Sequence, residues 1–261
     1  MAKREIAGSR VLVTGASSGI GREIALELGR HGADVFSLAR SADKLANLAA
    51  EFEKLPGRCE IVVGDVTDDG VRHDAVRRAT EAFGGLDVLI NNAGIGALGP
   101  FETATAERLR KIMEVNFFAA AEMIRTALPA LKHGRRPAIV NVTSILGSVG
   151  IPQSSEYCAS KFALEALSQS LRAELHRHGV DVLVVAPGST ETEFFDHAVE
   201  MSVHPPWLDA KRTSAAAVAR ATVEALARGK RSIVPNFRGR LMCWAQRISP
   251  GLVDLALRRY G

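Results

Sequence analysis

Short apolar runs alternate along this chain with longer segments whose apolar residues recur at helical spacing. RVLVTG, ADVFSLA, EIVVGD, LDVLINN, AIVNVTS and VDVLVVAPG are rich in Val, Ile and Leu at successive positions, the pattern of strands covered on both faces. Between them the period predicts amphipathic helices over 19–31, 41–54, 68–83, 103–131 and 154–178. Ser41 is placed to cap the second, and the fourth ends at the basic segment KHGRRP. A shorter helix over 213–228 and a strand at RSIVP follow. Strict alternation of strand and helix predicts parallel strands with right-handed crossovers, an α/β doubly wound sheet with helices on both faces. No linker-like stretch or internal repeat interrupts 1–261. A single domain is expected, with 193–212 as a substrate loop and 237–261 as a C-terminal helical extension.

Composition narrows the class. With 261 residues, 47% hydrophobic and 24% charged, the chain can bury a sizeable core as a soluble globular protein. It has no apolar run of about 18 residues, and its first residues lack a signal-peptide stretch, so a cytoplasmic protein is expected. Cys59, Cys158 and Cys243 are odd in number, dispersed and without metal-ligand spacing, which points to reduced thiols and no metal. His197 and His204 have no metal partner at useful spacing and read as surface residues. The net charge of +4 is uneven: from Arg228 to Gly261 eight Arg and Lys face one acid, Asp254. Aromatics make up only 5% of the chain, and no broad basic stripe accompanies them, so nucleic-acid binding is not expected.

The candidate chemistry lies in three places. Tyr157 and Lys161 are four residues apart in a predicted helix, hence on one face and one turn apart. An ammonium so placed favours the phenolate and lowers a phenol pKa from roughly 10. Ser144, thirteen residues before the tyrosine, can bring a hydroxyl to hold a carbonyl oxygen. Thr14-Gly15-Ala16-Ser17-Ser18-Gly19-Ile20-Gly21 joins the first strand to the first helix. Glycines there allow a tight turn and close approach to a pyrophosphate, which the helix N-terminus favours.

The spacing TGxxxGxG, then Asn91-Asn92-Ala93-Gly94, then Ser144, Tyr157 and Lys161, then Pro187-Gly188 and Thr192, resembles the short-chain dehydrogenase/reductase family. The resemblance covers about residues 8–235. It implies a Rossmann sheet of seven parallel strands, a nicotinamide cofactor and hydride transfer at a hydroxyl or carbonyl carbon. Position by position, it implies Tyr157 as acid/base and Lys161 as the residue that depresses the tyrosine pKa and binds the nicotinamide ribose. It implies Ser144 as the hydroxyl that orients the substrate oxygen and Asn116 as the holder of a relay water. Gly15, Ser17, Ser18, Gly19, Ile20 and Gly21 are then expected at the cofactor. So are Asp65 and Val66 near the adenine, Asn92, Ala93 and Gly94 beside its ribose, and Pro187, Gly188 and Thr192 at the nicotinamide half.

Cofactor choice is expected after the second strand, where NAD users place a carboxylate for the ribose 2′-hydroxyl. This chain has Ala39 there, followed by Arg40, which can grip a 2′-phosphate. NADP (NADPH) is therefore expected, with NAD as the alternative. The loops 95–101, 145–155 and 193–212 offer Ile95, Leu98, Leu146, Val149, Ile151, Phe194, Phe195, Met201 and Trp207, a lining suited to a moderately large apolar carbonyl or alcohol, although several of these side chains could equally pack the loops on the sheet. In the tail Leu241, Trp244, Ala245 and Ile248 recur at helical spacing, and Ser249-Pro250 reads as the start of another helix. That tail fits packing on its own subunit or a neighbour's in a homo-oligomer, or peripheral contact with an anionic membrane. The rival functions are an epimerase or dehydratase on the same scaffold and a regulatory NADP-binding protein without turnover.

Overall fold

The computed structural model describes residues 3–195, 198–203 and 212–258. His197, His204 and Trp207 lie outside the described residues. The strands, in chain order, are β1 (Arg10–Thr14), β2 (Asp34–Ala39), β3 (Cys59–Val63), β4 (Val88–Asn91), β5 (Ala138–Val142), β6 (Asp181–Val185), β7 (Thr190–Glu191), β8 (Thr213–Ser214) and β9 (Ser232–Ile233). Seven of them form one sheet in the order β3-β2-β1-β4-β5-β6-β9, every neighbour parallel. Among the described residues the two-residue strands β7 and β8 pair only with each other, and they carry no pattern long enough to read from sequence.

The runs of Val, Ile and Leu are explained by two-sided burial. Val11, Val35 and Val88 share one row of the sheet; Leu12, Phe36 and Leu89 share the next. Successive side chains point to opposite faces, so the first row joins the core under α1 (Gly19–Arg30), α2 (Ala42–Phe52) and α7 (Ala215–Ala227). The second joins the core under α3 (Asp69–Phe83), α5 (Ala119–Leu131) and α6 (Ser155–Glu174). The helix expected over 103–131 is continuous from α4 (Ala106–Met113) to α5 but passes through one π-helical turn, Glu114–Phe118. Ser41 does stand at the N-cap of α2, yet its side chain makes no capping bond. The tail forms α8 (Phe237–Ile248), capped by Asn236, and α9 (Pro250–Leu257), with Ser249 and Pro250 where expected. Cys59, Cys158 and Cys243 are free thiols. Among the described residues no helix is long and apolar enough to cross a membrane, and no cluster could hold a metal.

At the N-terminal edge of the sheet Asp87, 1% exposed, ties three segments together. Its carboxylate accepts from Arg10 Nε at 2.9 Å and Nη2 at 2.6 Å, and from the backbone amides of Arg10 at 3.0 Å and Arg135 at 2.6 Å. Burial alone would push this carboxyl up, but these donors hold it below the usual range. Its stabilisation is complete above the ordinary carboxylate value near pH 4 and is lost as pH falls from there through the lowered folded value. Asp87→Asn should therefore cost about 3 kcal/mol at neutral pH. Urea unfolding should show that cost shrinking below about pH 4; an equal cost at both pH values would refute the assignment.

Candidate active site

The strand order reverses between β1 and β4, and loops leaving their C-terminal ends part to opposite faces, opening a crevice there. Two residues close the junction. Thr14 Oγ1 accepts from the backbone amides of Asn92 at 3.1 Å and Ala93 at 3.2 Å, and Asn92 Nδ2 donates to the carbonyls of Thr14 and Gly15 at 3.2 and 3.1 Å. Gly15 (φ 66°) and Gly19 (φ 54°) take up left-handed conformations that a side chain would resist. Ser18, the N-cap of α1, makes no side-chain bond to the first-turn amides, and it lines the crevice together with Gly19 and Ile20. Amides left free of a side-chain cap at a helix start suit a pyrophosphate.

Tyr157 lies in the first turn of α6, with Lys161 one turn on. Lys161 Nζ is 5.7 Å from the Tyr157 ring centroid and donates to the Val142 carbonyl at 3.1 Å. Ser144 follows β5; its hydroxyl accepts from the Leu146 amide at 3.1 Å and also hydrogen-bonds Tyr157. Burial pushes the Tyr157 phenol above its ordinary value, with the Ser144 hydrogen bond acting the other way. Burial also brings Lys161 down to about 8. The lowering of Tyr157 expected from Lys161 is not what this structure gives: the loss of water around the phenol raises it, and the opposing effect comes from Ser144.

Asn116 sits in the π-helical turn, 1% exposed. Its Oδ1 accepts from the Ile95 amide at 2.8 Å; its Nδ2 donates to the Ile95 carbonyl at 2.9 Å and to Ser160 Oγ at 3.0 Å. Ser160 Oγ in turn donates to the Tyr157 carbonyl at 2.7 Å. Asn116 therefore braces the loop after β4 against the helix that carries the tyrosine. A π-turn widens the helix and re-aims one side chain, which is how Asn116 reaches across.

One cavity of about 860 Å³ runs from the glycine-rich loop to Tyr157. It is lined by Gly15, Ser17, Ser18, Gly19, Ile20, Arg40, Asp65, Val66, Asn92, Ala93, Gly94, Pro187, Gly188 and Thr192, together with Ser144, Tyr157 and Lys161. Gly21 and Asn116 are not in the lining: Gly21 packs beneath the loop against Asn92 and the Gly15 carbonyl, and Asn116 acts from behind. Ile95, Leu98, Leu146, Ile151, Phe194 and Phe195 line the end near Tyr157, where Phe194 meets its ring edge-on at 5.6 Å. Val149 is instead buried in the packing, and Met201 is exposed, bridged to Leu98.

Arg40 and Asp65 meet, with Nη1 3.7 Å from Oδ2, so the site does present a carboxylate beside Arg40, from the loop after the third strand rather than after the second. Lys44, overlooked in the sequence, lines the cavity one turn into α2 and pairs with Glu193; its spacing of four from Arg40 was the available signal. Asn236, Arg238, Met242 and Leu257 of the tail also line the cavity, and nothing local in the sequence marks them. Arg108, equally unmarked, is buried on α4. It donates to Glu156 Oε1 through Nε at 2.9 Å and Nη2 at 2.7 Å, and its Nη1 lies 2.9 Å from Glu200. One guanidinium thereby joins the residue before Tyr157 to the loop that pairs with Leu98.

A lysine lowered to about 8 from 10.5 destabilises the fold while it is protonated in both folded and unfolded states. That cost fades as pH rises from about 8 through about 10.5. Lys161→Met should therefore raise stability by about 2 kcal/mol near pH 7, with the gain shrinking above pH 8. Urea unfolding of both proteins across this range measures it, and a variant less stable at pH 7 would contradict a strained lysine.

The family model for short chain dehydrogenase matches residues 9–202. The chain is 38% identical over 187 residues to the 3-ketodihydrosphingosine reductase of Bacteroides thetaiotaomicron, covering 72% of this chain and 66% of that one, just under two thirds of its length. The short chain dehydrogenase from Burkholderia cenocepacia in complex with NADP superimposes with a TM-score of 0.78 at 32% identity, covering 88% of this chain and 97% of that one. The short chain dehydrogenase/reductase from Burkholderia phymatum in complex with NAD gives a TM-score of 0.87 at 24% identity, over 95% and 96% of the two chains; this likeness speaks to the fold. With the family model spanning most of the chain and the glycine-rich crevice leading to Ser144, Tyr157 and Lys161, the chain belongs to the short-chain dehydrogenase/reductase family.

Proposed function

We propose that this oxidoreductase interconverts an alcohol and a carbonyl on a moderately large apolar substrate and prefers NADP. The observation that carries the reading is the single cavity with a basic group, Arg40, at its glycine-rich end and Tyr157 among apolar walls at the other. A nicotinamide bound there supplies or accepts hydride. Tyr157 gives its proton to a carbonyl oxygen in reduction or takes one from a hydroxyl in oxidation. Ser144 donates a hydrogen bond to the same oxygen, an electrostatic role of the oxyanion-hole kind. Lys161 holds the ribose and supplies positive charge below the tyrosine. The phenol is protonated near neutrality, the form that reduction of a carbonyl requires. The relative named 3-ketodihydrosphingosine reductase supports a ketone as substrate. A cytoplasmic location and a homo-oligomer belong to the same reading; the exposed Phe118 and Phe162 give self-association an apolar surface.

Tyr157→Phe keeps the ring packing and loses the transferable proton. Turnover of a reactive apolar ketone should fall by at least about a hundredfold, with cofactor affinity nearly unchanged by titration. Near-normal rates would remove Tyr157 from the chemistry.

Arg40 should make NADPH the tighter cofactor. Its exposure and its pairing with Asp65 place the effect at the lower end for a charged hydrogen bond, roughly tenfold. Arg40→Ala should weaken NADPH and barely touch NADH, and Ala39→Asp should reverse the preference. Paired titrations at one ionic strength test this; equal losses for both cofactors would show that Arg40 does not read the 2′-phosphate.

A further inference from the structure

Two helices at the C-terminus have opposite relations to the protein on their two sides. Arg238, Gly239 and Met242 of α8 and Leu257 of α9 line the cavity that contains Tyr157. On the outer side Phe237 (69% exposed), Leu241, Trp244 (61%) and Ile248 stand in solvent, with Leu252 and Leu255 of α9. At 100° per residue the four on α8 fall within one narrow stripe, and each lies three or four positions from the next. Arg240 and Arg247 edge that stripe on one flank, and Arg238 is exposed beyond the other. Between 237 and 258 the charged residues are Arg238, Arg240, Arg247, Arg258 and Asp254. The apolar spacing of the tail therefore does not serve packing on its own subunit, since that face is the one turned away from it.

We propose that the outer face of α8–α9 docks on an anionic lipid bilayer, so that an apolar substrate reaches the cavity from the membrane through the wall these helices form. The inference rests on the proposed apolar substrate for its purpose, though not for the binding itself. A stripe of large apolar side chains edged by arginines is the surface of a helix lying in the interface plane. The apolar side chains enter the acyl boundary, the indole of Trp244 suits the headgroup level, and the guanidiniums meet lipid phosphates. A second copy of this chain is a poorer occupant. A two-fold contact through the stripe sets the same patch against itself, which brings Arg240 and Arg247 of both copies together with only Asp254 as an acid among the described tail residues.

The test is flotation of the full chain with vesicles of phosphatidylcholine alone and with added phosphatidylglycerol, at low and high salt. Binding is expected to the anionic vesicles at low salt and to be weakened by salt. Trp244→Glu and Leu241→Glu, neither in the cavity lining, should each reduce binding by about tenfold or more. Turnover of a small water-soluble ketone should not change in either variant. In a Trp207→Phe background, emission from Trp244 should shift to the blue on adding anionic vesicles. Absence of flotation at low salt overturns the proposal, as does a Trp244→Glu variant whose only change is a smaller oligomer by sedimentation. Ketone turnover without flotation would sink the docking surface and leave the oxidoreductase reading standing. Flotation without turnover of any apolar ketone would do the reverse.

Discussion

The seam between β1 and β4 is the constraint on which the site depends. Thr14 spends its hydroxyl on the amides of Asn92 and Ala93, and Asn92 returns its side-chain amide to the carbonyls of Thr14 and Gly15. Neither strand can slide or twist away from the other without leaving buried polar groups unpaired, which is costly. Because the strand order reverses at this seam, the same bonds border the crevice on its C-terminal side. The glycine-rich turn on one bank and the Asn92–Gly94 wall on the other are thereby set at a fixed width.

Burial does much of the electrostatic work at the far end of the cavity. It drives the Tyr157 phenol and the Lys161 ammonium toward their neutral forms in opposite senses, one up and one down. Neither shift favours stability; the lowered Lys161 comes nearer to neutrality, while the raised Tyr157 stays protonated there. The surroundings that tolerate this strain are stiff. Asn116 ties the loop after β4 to Ser160, Ser160 ties back to the Tyr157 carbonyl, and Arg108 clamps Glu156 from the other side. The first turn of α6 is thus held by two independent sets of bonds, and the tyrosine rides on it.

The tail makes the wall of the cavity and an apolar outer surface from one pair of helices. Close approach is possible because Gly239 packs on Asn236, Ile145 and Val234 with no room for a Cβ. One side of this pair of helices therefore lines the cavity while the other is unpartnered among the described residues.

The strands, their parallel order and the Tyr157–Lys161 face were legible in the sequence, because each depends on a local period or spacing. Val11 and Leu12 alternate between two cores, and a run apolar at every position can satisfy only a sheet covered twice. The glycine-rich loop was legible for the same local reason, as a turn between strand and helix. Other features are properties of approach between distant segments. Asp65 reaching Arg40, Arg108 reaching Glu156 and Glu200, and the π-turn that aims Asn116 depend on how helices and loops pack. The rise of Tyr157 in place of the expected fall was likewise hidden, since a four-residue spacing fixes which groups are neighbours but not how much water remains between them. In the tail the sequence showed an apolar stripe and an arginine flank; only the packed structure decided that Met242 and Leu257 turn inward to the cavity and that Trp244 faces out.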